Sequence, residues 1–149
     1  MSIRGGCKCN NIQILWHTVD RSLVPRECQC PYCLSKIISY VSKSGTRVEV
    51  SIHNESLHNV YQQGSKSATF HECGNCGDLV FVTAEIDGEL YCSLNSNCIN
   101  NPFGFGDSVK MELHNQTAAE KKSRWRQNWC HPVLITSQGS SRAVTGAPA

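Results

Sequence analysis

The cysteines constrain this chain more than any other feature of its sequence, because ten of its 149 residues are cysteine. Seven of the ten fall into three tight clusters: Cys7-Lys8-Cys9, Cys28-Gln29-Cys30-Pro31-Tyr32-Cys33 and Cys73-Gly74-Asn75-Cys76-Gly77. Cys-x-Cys on an extended segment and Cys-x-x-Cys in a tight turn each present two sulfurs to one side, where they can share an ion. The clusters therefore predict thiolate metal sites, with zinc as the expected ion.

The number of clustered cysteines does not divide evenly into zinc sites. A structural zinc takes four protein ligands, whereas a catalytic zinc usually keeps one position free. One partition joins the first and third clusters into a closed site and leaves Cys28, Cys30 and Cys33 as three ligands of a second ion. The rival partition, typical of a zinc ribbon, joins the last two cysteines of the central cluster with the third cluster. Spacing alone leaves both partitions open.

Outside the clusters, the hydrophobic pattern is that of a β protein. Short stretches with alternating or β-branched apolar residues occur at 12–16, 48–52, 79–82 and 109–113, and turn-forming residues such as Asp87-Gly88 separate them. This pattern predicts a mainly β fold with antiparallel sheets. One short C-terminal helix is predicted at Thr117, because Thr117-Ala118-Ala119-Glu120 has the form of a capping box.

Composition and charge bear on several classes of partner. The chain carries 14 basic and 12 acidic residues, a net charge of +2, so it lacks the basic surface typical of nucleic-acid binders. No apolar stretch is long enough to cross a bilayer, and the first residues lack a secretory pattern. We therefore expect a cytoplasmic protein with neither a nucleic-acid nor a membrane partner, built as one domain over 1–136 with a flexible tail over 137–149.

The three clusters resemble the pattern of the glutathione-dependent formaldehyde-activating enzyme family. That pattern begins with Gly-x-Cys-x-Cys, continues with a central Cys-x-Cys-x-x-Cys and ends with Cys-x-x-Cys-Gly. Gly5-Gly6-Cys7-Lys8-Cys9, the central cluster and the third cluster match it in order and in approximate separation, within the residues up to 95. The resemblance implies a β-tent fold, with antiparallel sheets around zinc sites.

The resemblance also implies roles for individual residues and favours the first partition. It implies two zinc ions per chain, a structural one held by Cys7, Cys9, Cys73 and Cys76, and a catalytic one held by Cys28, Cys30 and Cys33. The implied activity is that of a carbon–sulfur lyase on a thiol adduct of the S-hydroxymethylglutathione type. The implied partner is therefore a small-molecule thiol or thiol adduct.

Other residues are weaker candidates for a role in catalysis. His71 precedes Cys73 by two residues, and we expect it at the surface on a strand edge, with proton transfer as the less favoured alternative. His114 is a second weak candidate for proton transfer. We expect Cys92, Cys98 and Cys130 to be buried core cysteines, and Trp125 and Trp129 to pack the C-terminal segment over the sheet.

A non-catalytic function is the alternative. Leu34 and Ile38 stand where the family commonly has a basic residue and a glycine, so the second site of this chain differs from the family pattern in its surroundings. The same fold without catalysis would be a zinc-binding interaction module.

Overall fold

Strands dominate the structure, which confirms the predicted mainly β fold class. The computed structural model describes residues 2–18, 23–28, 38–62, 68–101, 105, 108–111, 116–137 and 142–144. The strands are β1 (Ile3–Gly6), β2 (Ile12–His17), β3 (Arg26–Cys28), β4 (Ser39–Val41), β5 (Arg47–Ile52), β6 (His58–Gln62), β7 (Thr69–Cys73), β8 (Leu79–Ile86), β9 (Glu89–Asn95), β10 (Val109–Met111), β11 (Val133–Ser137) and β12 (Arg142–Val144). The α-helix α1 spans Ala118–Asn128, and short 3-10 helices lie at Glu55–Leu57 and Ser96–Cys98.

A five-stranded sheet has the order β1-β2-β5-β11-β12. Its central pair shows the alternation that the sequence predicts, because Ile12, Ile14 and Trp16 of β2 are buried while Gln13 between them is exposed. Val50 of β5 lies directly opposite Ile14 and is buried on the same face. Apolar residues at every second position thus form one side of the core.

A seven-stranded sheet has the order β10-β3-β4-β9-β8-β7-β6. Strand β8 is apolar on both faces because both faces are covered. Phe81 belongs to the core shared with the five-stranded sheet, whereas Val82 and Ala84 pack in a second cluster with Trp125 and Trp129. The seven-stranded sheet therefore lies between the other sheet and α1.

The C-terminal helix begins where the sequence predicts. The Thr117 hydroxyl accepts a hydrogen bond from the Glu120 amide at 3.1 Å, and the Glu120 carboxylate accepts one from the Thr117 amide at 3.0 Å. This is a complete capping box. Trp125 and Trp129 are buried and stacked with ring centroids 4.7 Å apart, which confirms that they pack the helix over the sheet.

Two features of the sheets differ from the sequence-based expectation. Strand β11 pairs in parallel with β5, and β10 pairs in parallel with β3, although the pattern predicts antiparallel sheets. The remaining named pairs are antiparallel, so the expectation holds for most of the structure. Arg142–Val144 form β12 beside β11 within the segment predicted as a flexible tail, and 138–141 and 145–149 lie outside the described residues.

Candidate metal centre

The first half of the centre is the turn that joins β1 to β2. The Cys7 amide donates to the Ile12 carbonyl at 3.0 Å, and the Asn10 amide donates to the Cys7 carbonyl at 3.1 Å. Asn10 has φ of 65°, a left-handed conformation that asparagine tolerates better than most residues. The turn brings the Sγ atoms of Cys7 and Cys9 to within 3.6 Å of each other.

The second half is the turn that joins β7 to β8. The Cys73 amide donates to the Asp78 carbonyl at 2.9 Å, and the Gly77 amide donates to the Cys73 carbonyl at 2.8 Å. Gly77 has φ of 79°, which glycine adopts without the steric cost of a Cβ atom. The glycine that follows Cys-x-x-Cys in the sequence is therefore required by the shape of this turn.

Asp78 joins the two turns. Its Oδ2 accepts a hydrogen bond from the Lys8 amide at 3.0 Å, and its Oδ1 lies 3.4 Å from the Lys8 ammonium nitrogen. The ammonium is exposed, so the amide hydrogen bond contributes more to positioning than the ion pair does. Residues far apart in the sequence are thus held at one place.

The four sulfurs of Cys7, Cys9, Cys73 and Cys76 lie within 4.8 Å of one another. Cys9 Sγ is 3.5 Å from Cys73 Sγ, across the two turns. A tetrahedral zinc with Zn–S bonds of about 2.3 Å places its sulfurs about 3.8 Å apart, so the cluster fits that ion in both size and donor type. Elsewhere in the described part of the chain, no group of three or more His, Cys, Asp or Glu side chains lies close enough for one ion.

The surroundings of the sulfurs shift the pKa values of the cluster cysteines in opposite directions. Burial raises the pKa of Cys7 to about 12 and also raises the pKa of Cys73. Hydrogen bonds from the Asn75 side chain and the Asn11 amide lower the pKa of Cys9 to about 6. The cluster therefore offers one ready thiolate, while Cys7 and Cys73 must release their protons when an ion binds.

Most of the predicted catalytic ligands lie beyond the described structure. Cys28 is the last residue of β3, and its side chain is not described. Cys30, Cys33 and His114 lie outside the described residues. The three-cysteine site therefore stays a prediction.

His71 is not a surface residue, which corrects the sequence-based expectation. It lies in β7 between β6 and β8, and its exposed fraction is 0%. Its ring stacks on Phe81 with centroids 4.1 Å apart. Strand β7 pairs with β6 on one side and with β8 on the other, so His71 lies on an inner strand and not at a sheet edge.

His71 belongs to a hydrogen-bonded chain that sequence reasoning did not find. Glu55 Oε1 lies 3.0 Å from His58 Nδ1, and His58 Nε2 lies 2.8 Å from His71 Nδ1. His71 Nε2 lies 2.7 Å from the Thr83 hydroxyl. Burial, together with the nearby His58, holds the pKa of His71 well below its usual value, so the ring is neutral and both its nitrogens are engaged. Glu55 and His58 are three residues apart, but only the pairing of β6, β7 and β8 brings them to His71 and Thr83.

The three cysteines outside the clusters are buried, as predicted. The Cys98 thiol donates to the Leu79 carbonyl at 3.6 Å. Cys92 and Cys130 lie opposite each other and exchange backbone hydrogen bonds. All three thus have partners other than the four-cysteine cluster.

A cleft of about 570 Å³ opens beside the cluster. Its lining residues include glycine backbone, amide side chains, one ion pair and two cysteines: Gly5, Gly6, Cys7, Lys8, Asn10, Ile38, Gly77, Asp78, Leu79, Asn95, Asn97, Cys98 and Asn100. Asn97 and Asn100 are exposed, so their amides can bind a ligand. The cleft is polar and lies beside the β1–β2 and β7–β8 turns that carry the four cysteines.

Comparisons with known proteins support the fold and leave the activity open. No protein-family model and no curated protein matches the chain. A crystal structure of a Rhodobacter sphaeroides protein is similar, with 18% sequence identity and a TM-score of 0.55 over 71% of this chain and 99% of that one. No helix among the described residues has the length and apolar character to span a membrane. The likeness shows a shared fold, and the four-cysteine cluster adds a possible metal site to it.

Proposed function

We propose that this protein is a zinc-dependent carbon–sulfur lyase that acts on a small thiol adduct. In this proposal Cys7, Cys9, Cys73 and Cys76 hold a structural zinc, and Cys28, Cys30 and Cys33 hold a second zinc with one open position. The proposal develops the resemblance to the glutathione-dependent formaldehyde-activating enzymes. The observation that carries it is that each cysteine outside the central cluster has another partner in the structure.

Counting the cysteines leaves three for the second site. Four of the ten form the closed cluster, and Cys92 and Cys130 contact each other. Cys98 donates to a backbone carbonyl. The remaining three are the central cluster, so no further cysteine is available to close a second tetrahedron. An all-cysteine site with three protein ligands has room for a ligand from outside.

The strand register supports a location for this site beside the cleft. Glu27 of β3 lies opposite Ser39 of β4, so the chain reaches Cys28 next to the residue that precedes Ser39. That residue is Ile38, which lines the cleft. The Ser39 hydroxyl is 2.6 Å from the Ser96 hydroxyl, which ties β4 to the 3-10 helix of the cleft wall. A thiol bound in the cleft would thus have its sulfur near the start of the central cluster.

The chemistry follows from the donors. A zinc held by three thiolates would keep a substrate sulfur deprotonated at neutral pH. The exposed amides of Asn97 and Asn100 and the ammonium group of Lys8 offer polar contacts that would orient the rest of the thiol. In the synthetic direction the sulfur bonds to a carbonyl carbon and the carbonyl oxygen takes a proton. In the lyase direction that carbon–sulfur bond breaks and the carbonyl compound leaves.

Zinc stoichiometry is the first test. We expect about two zinc ions per wild-type chain and about one in a Cys28→Ser, Cys30→Ser variant that stays folded. Cys98→Ser is the matched control, because Cys98 also lines the cleft and has a carbonyl partner, and it should keep both ions. A wild type with one zinc that the double variant retains would contradict the second site.

Turnover is the second test. Exchange between formaldehyde and its adduct with glutathione, or with another small thiol, can be followed by nuclear magnetic resonance at equilibrium. We expect faster exchange with the wild type and the uncatalysed rate with Cys28→Ser. Equal exchange rates for both proteins with every thiol tried would contradict the proposed lyase activity.

The second candidate is a non-catalytic zinc module, and one observation favours it. Ile38 is 4% exposed and lines the cleft, so its side chain occupies space that the glycine common in the family would leave open. A narrowed cleft suits a binding surface better than a substrate site. One inert zinc per chain, resistant to exchange with added thiols, would favour this candidate over the lyase.

A further inference from the structure

Cys92 and Cys130 are placed for a covalent bond with each other. The Cys92 amide donates to the Cys130 carbonyl at 3.0 Å, and the Cys130 amide donates to the Cys92 carbonyl at 2.8 Å. Residues that exchange both bonds in this way have Cα atoms about 5.5 Å apart. That separation lies within the range found for disulfides, so the two residues are close enough for their sulfurs to be joined.

The two side chains also differ in their surroundings. Both cysteines have an exposed fraction of 0%. Burial and the contact with Cys130 raise the pKa of Cys92 well above its usual value. Burial also raises the pKa of Cys130. Hydrogen bonds from Cys92 and the Lys43 amide, together with the charge of Arg26, outweigh this effect and lower the pKa overall. The surroundings therefore favour ionisation of Cys130 over ionisation of Cys92.

We propose that Cys92 and Cys130 form a redox-active dithiol that a hydroperoxide converts to an intramolecular disulfide. The Cys130 sulfur attacks the distal peroxide oxygen and the O–O bond breaks. Cys130 becomes a sulfenic acid, and the hydroxide that leaves takes up the proton that the Cys130 thiol has lost. The Cys92 sulfur then attacks that sulfur and displaces its oxygen as a second hydroxide, which takes up the Cys92 proton. Two cysteines lose two electrons in total, and hydrogen peroxide is reduced to two molecules of water.

This site is separate from the metal centre, and its bond would link the two sheets. Cys92 belongs to β9 of the seven-stranded sheet, whereas Cys130 lies just before β11 of the five-stranded sheet. The closed loop would contain α1. A cross-link of this length restricts the unfolded chain, so the oxidised protein should melt several degrees higher than the reduced protein. A dithiol reductant should restore the original melting temperature.

The experiment uses the full-length protein with zinc bound, so that the metal protects the clustered cysteines. The protein is treated with a small excess of hydrogen peroxide, denatured in acid, alkylated and digested. Peptides are then sequenced by mass spectrometry. We expect a disulfide-linked pair that contains Cys92 and Cys130, formed without loss of zinc. Because both sulfurs are buried, the rate of disulfide formation should be limited by local opening of the structure.

Matched variants separate this pair from the other cysteines. Cys98→Ser should keep the link, whereas Cys92→Ser should lack it together with the rise in melting temperature. If Cys92→Ser does not fold, the wild-type peptide map decides by itself. Recovery of Cys92 and Cys130 as alkylated thiols, as separate sulfinic acids or in links to other cysteines would overturn the proposal.

Discussion

The four-cysteine cluster and the Cys92–Cys130 pair place the same side chain in two kinds of backbone. The cluster cysteines lie on turns that close two β-hairpins, so four sulfurs converge on one point within 4.8 Å. Cys92 lies in β9 and pairs with Cys130 through an isolated β-bridge, so the two cysteines lie directly opposite each other. Turns can therefore collect enough sulfurs for a tetrahedral ion, whereas a β-bridge presents only a pair.

The two groups of cysteines also differ in the exposure and hydrogen bonding of their sulfurs. Cys9 is exposed and receives hydrogen bonds from Asn75 and Asn11, which suits a thiolate at the protein surface. Cys92 is fully buried, where a thiolate without an ion is costly. Loss of a cluster cysteine should therefore remove metal and stability together, whereas loss of Cys92 should affect packing and the proposed disulfide but not the metal.

Replacing a cluster ligand should have the largest effect. Cys73→Ser removes a buried ligand at the end of β7, so we expect loss of zinc from the cluster and a fall of at least about 4 kcal/mol in the free energy of unfolding. Zinc content and denaturant titration measure both changes. Cys98→Ser should keep the zinc and lose less than about 1.5 kcal/mol, because serine can donate to the same Leu79 carbonyl. Full zinc content in Cys73→Ser would show that Cys73 is not a ligand.

The pH dependence of zinc affinity is the next largest effect. Cys7 and Cys73 have raised pKa values, so both are protonated at neutral pH without metal, and zinc binding must release both protons. These two protons alone should make the affinity rise with pH by about 100-fold per unit between pH 6.5 and 8, a tenfold factor for each proton. A competing chromophoric chelator measures this slope. A flat profile would mean that the thiols are already ionised.

Shortening Cys92 should lower the stability of the core without removing zinc. Cys92→Ala leaves a small cavity in the core shared by the two sheets, so we expect a loss of about 1–2 kcal/mol in the free energy of unfolding. Zinc content should match that of the wild type. Loss of zinc from this variant would show that the two cysteine groups are coupled.

Substitution of Gly77 tests how far the backbone of the second turn contributes to zinc binding. Gly77→Ala meets no atom within 4 Å, but φ of 79° is costly for alanine, so we expect a loss of about 1 kcal/mol and weaker zinc binding. Gly88→Ala is a matched control, because Gly88 has the same φ in the β8–β9 turn away from the sulfurs. It should lose similar stability and keep wild-type zinc affinity. Equal zinc affinity in both variants would show that the turn shape does not set the site.

The contact between the two turns should have the smallest effect. Asp78→Asn keeps an acceptor for the Lys8 amide and loses only the charge facing an exposed ammonium, so we expect a change below about 0.5 kcal/mol. Asp87→Asn, which removes the charge from an exposed ion pair with Arg126, should have a similarly small effect. A melting curve for each variant is sufficient. A large zinc loss in Asp78→Asn alone would place this carboxylate in the metal centre.

Local patterns in the sequence were enough to predict several strands, the helix start and the cysteine turns. Alternating apolar residues at 12–16 and 48–52 predicted β2 and β5, because a strand with one buried face needs that period. The capping box at Thr117 predicted the start of α1. Cysteine spacing predicted metal turns, because Cys-x-Cys and Cys-x-x-Cys converge through their own backbone geometry.

Tertiary structure decided which distant segments meet. Cys9 and Cys73 are 64 positions apart, and spacing alone allowed a different partition of the cysteines. The burial of His71, the parallel pairing of β11 with β5 and the Cys92–Cys130 pair likewise depend on strand order and register. Local propensity acts between neighbours in the chain, whereas strand order follows from burial of the whole apolar surface. The partners of each cysteine therefore had to be seen in the fold.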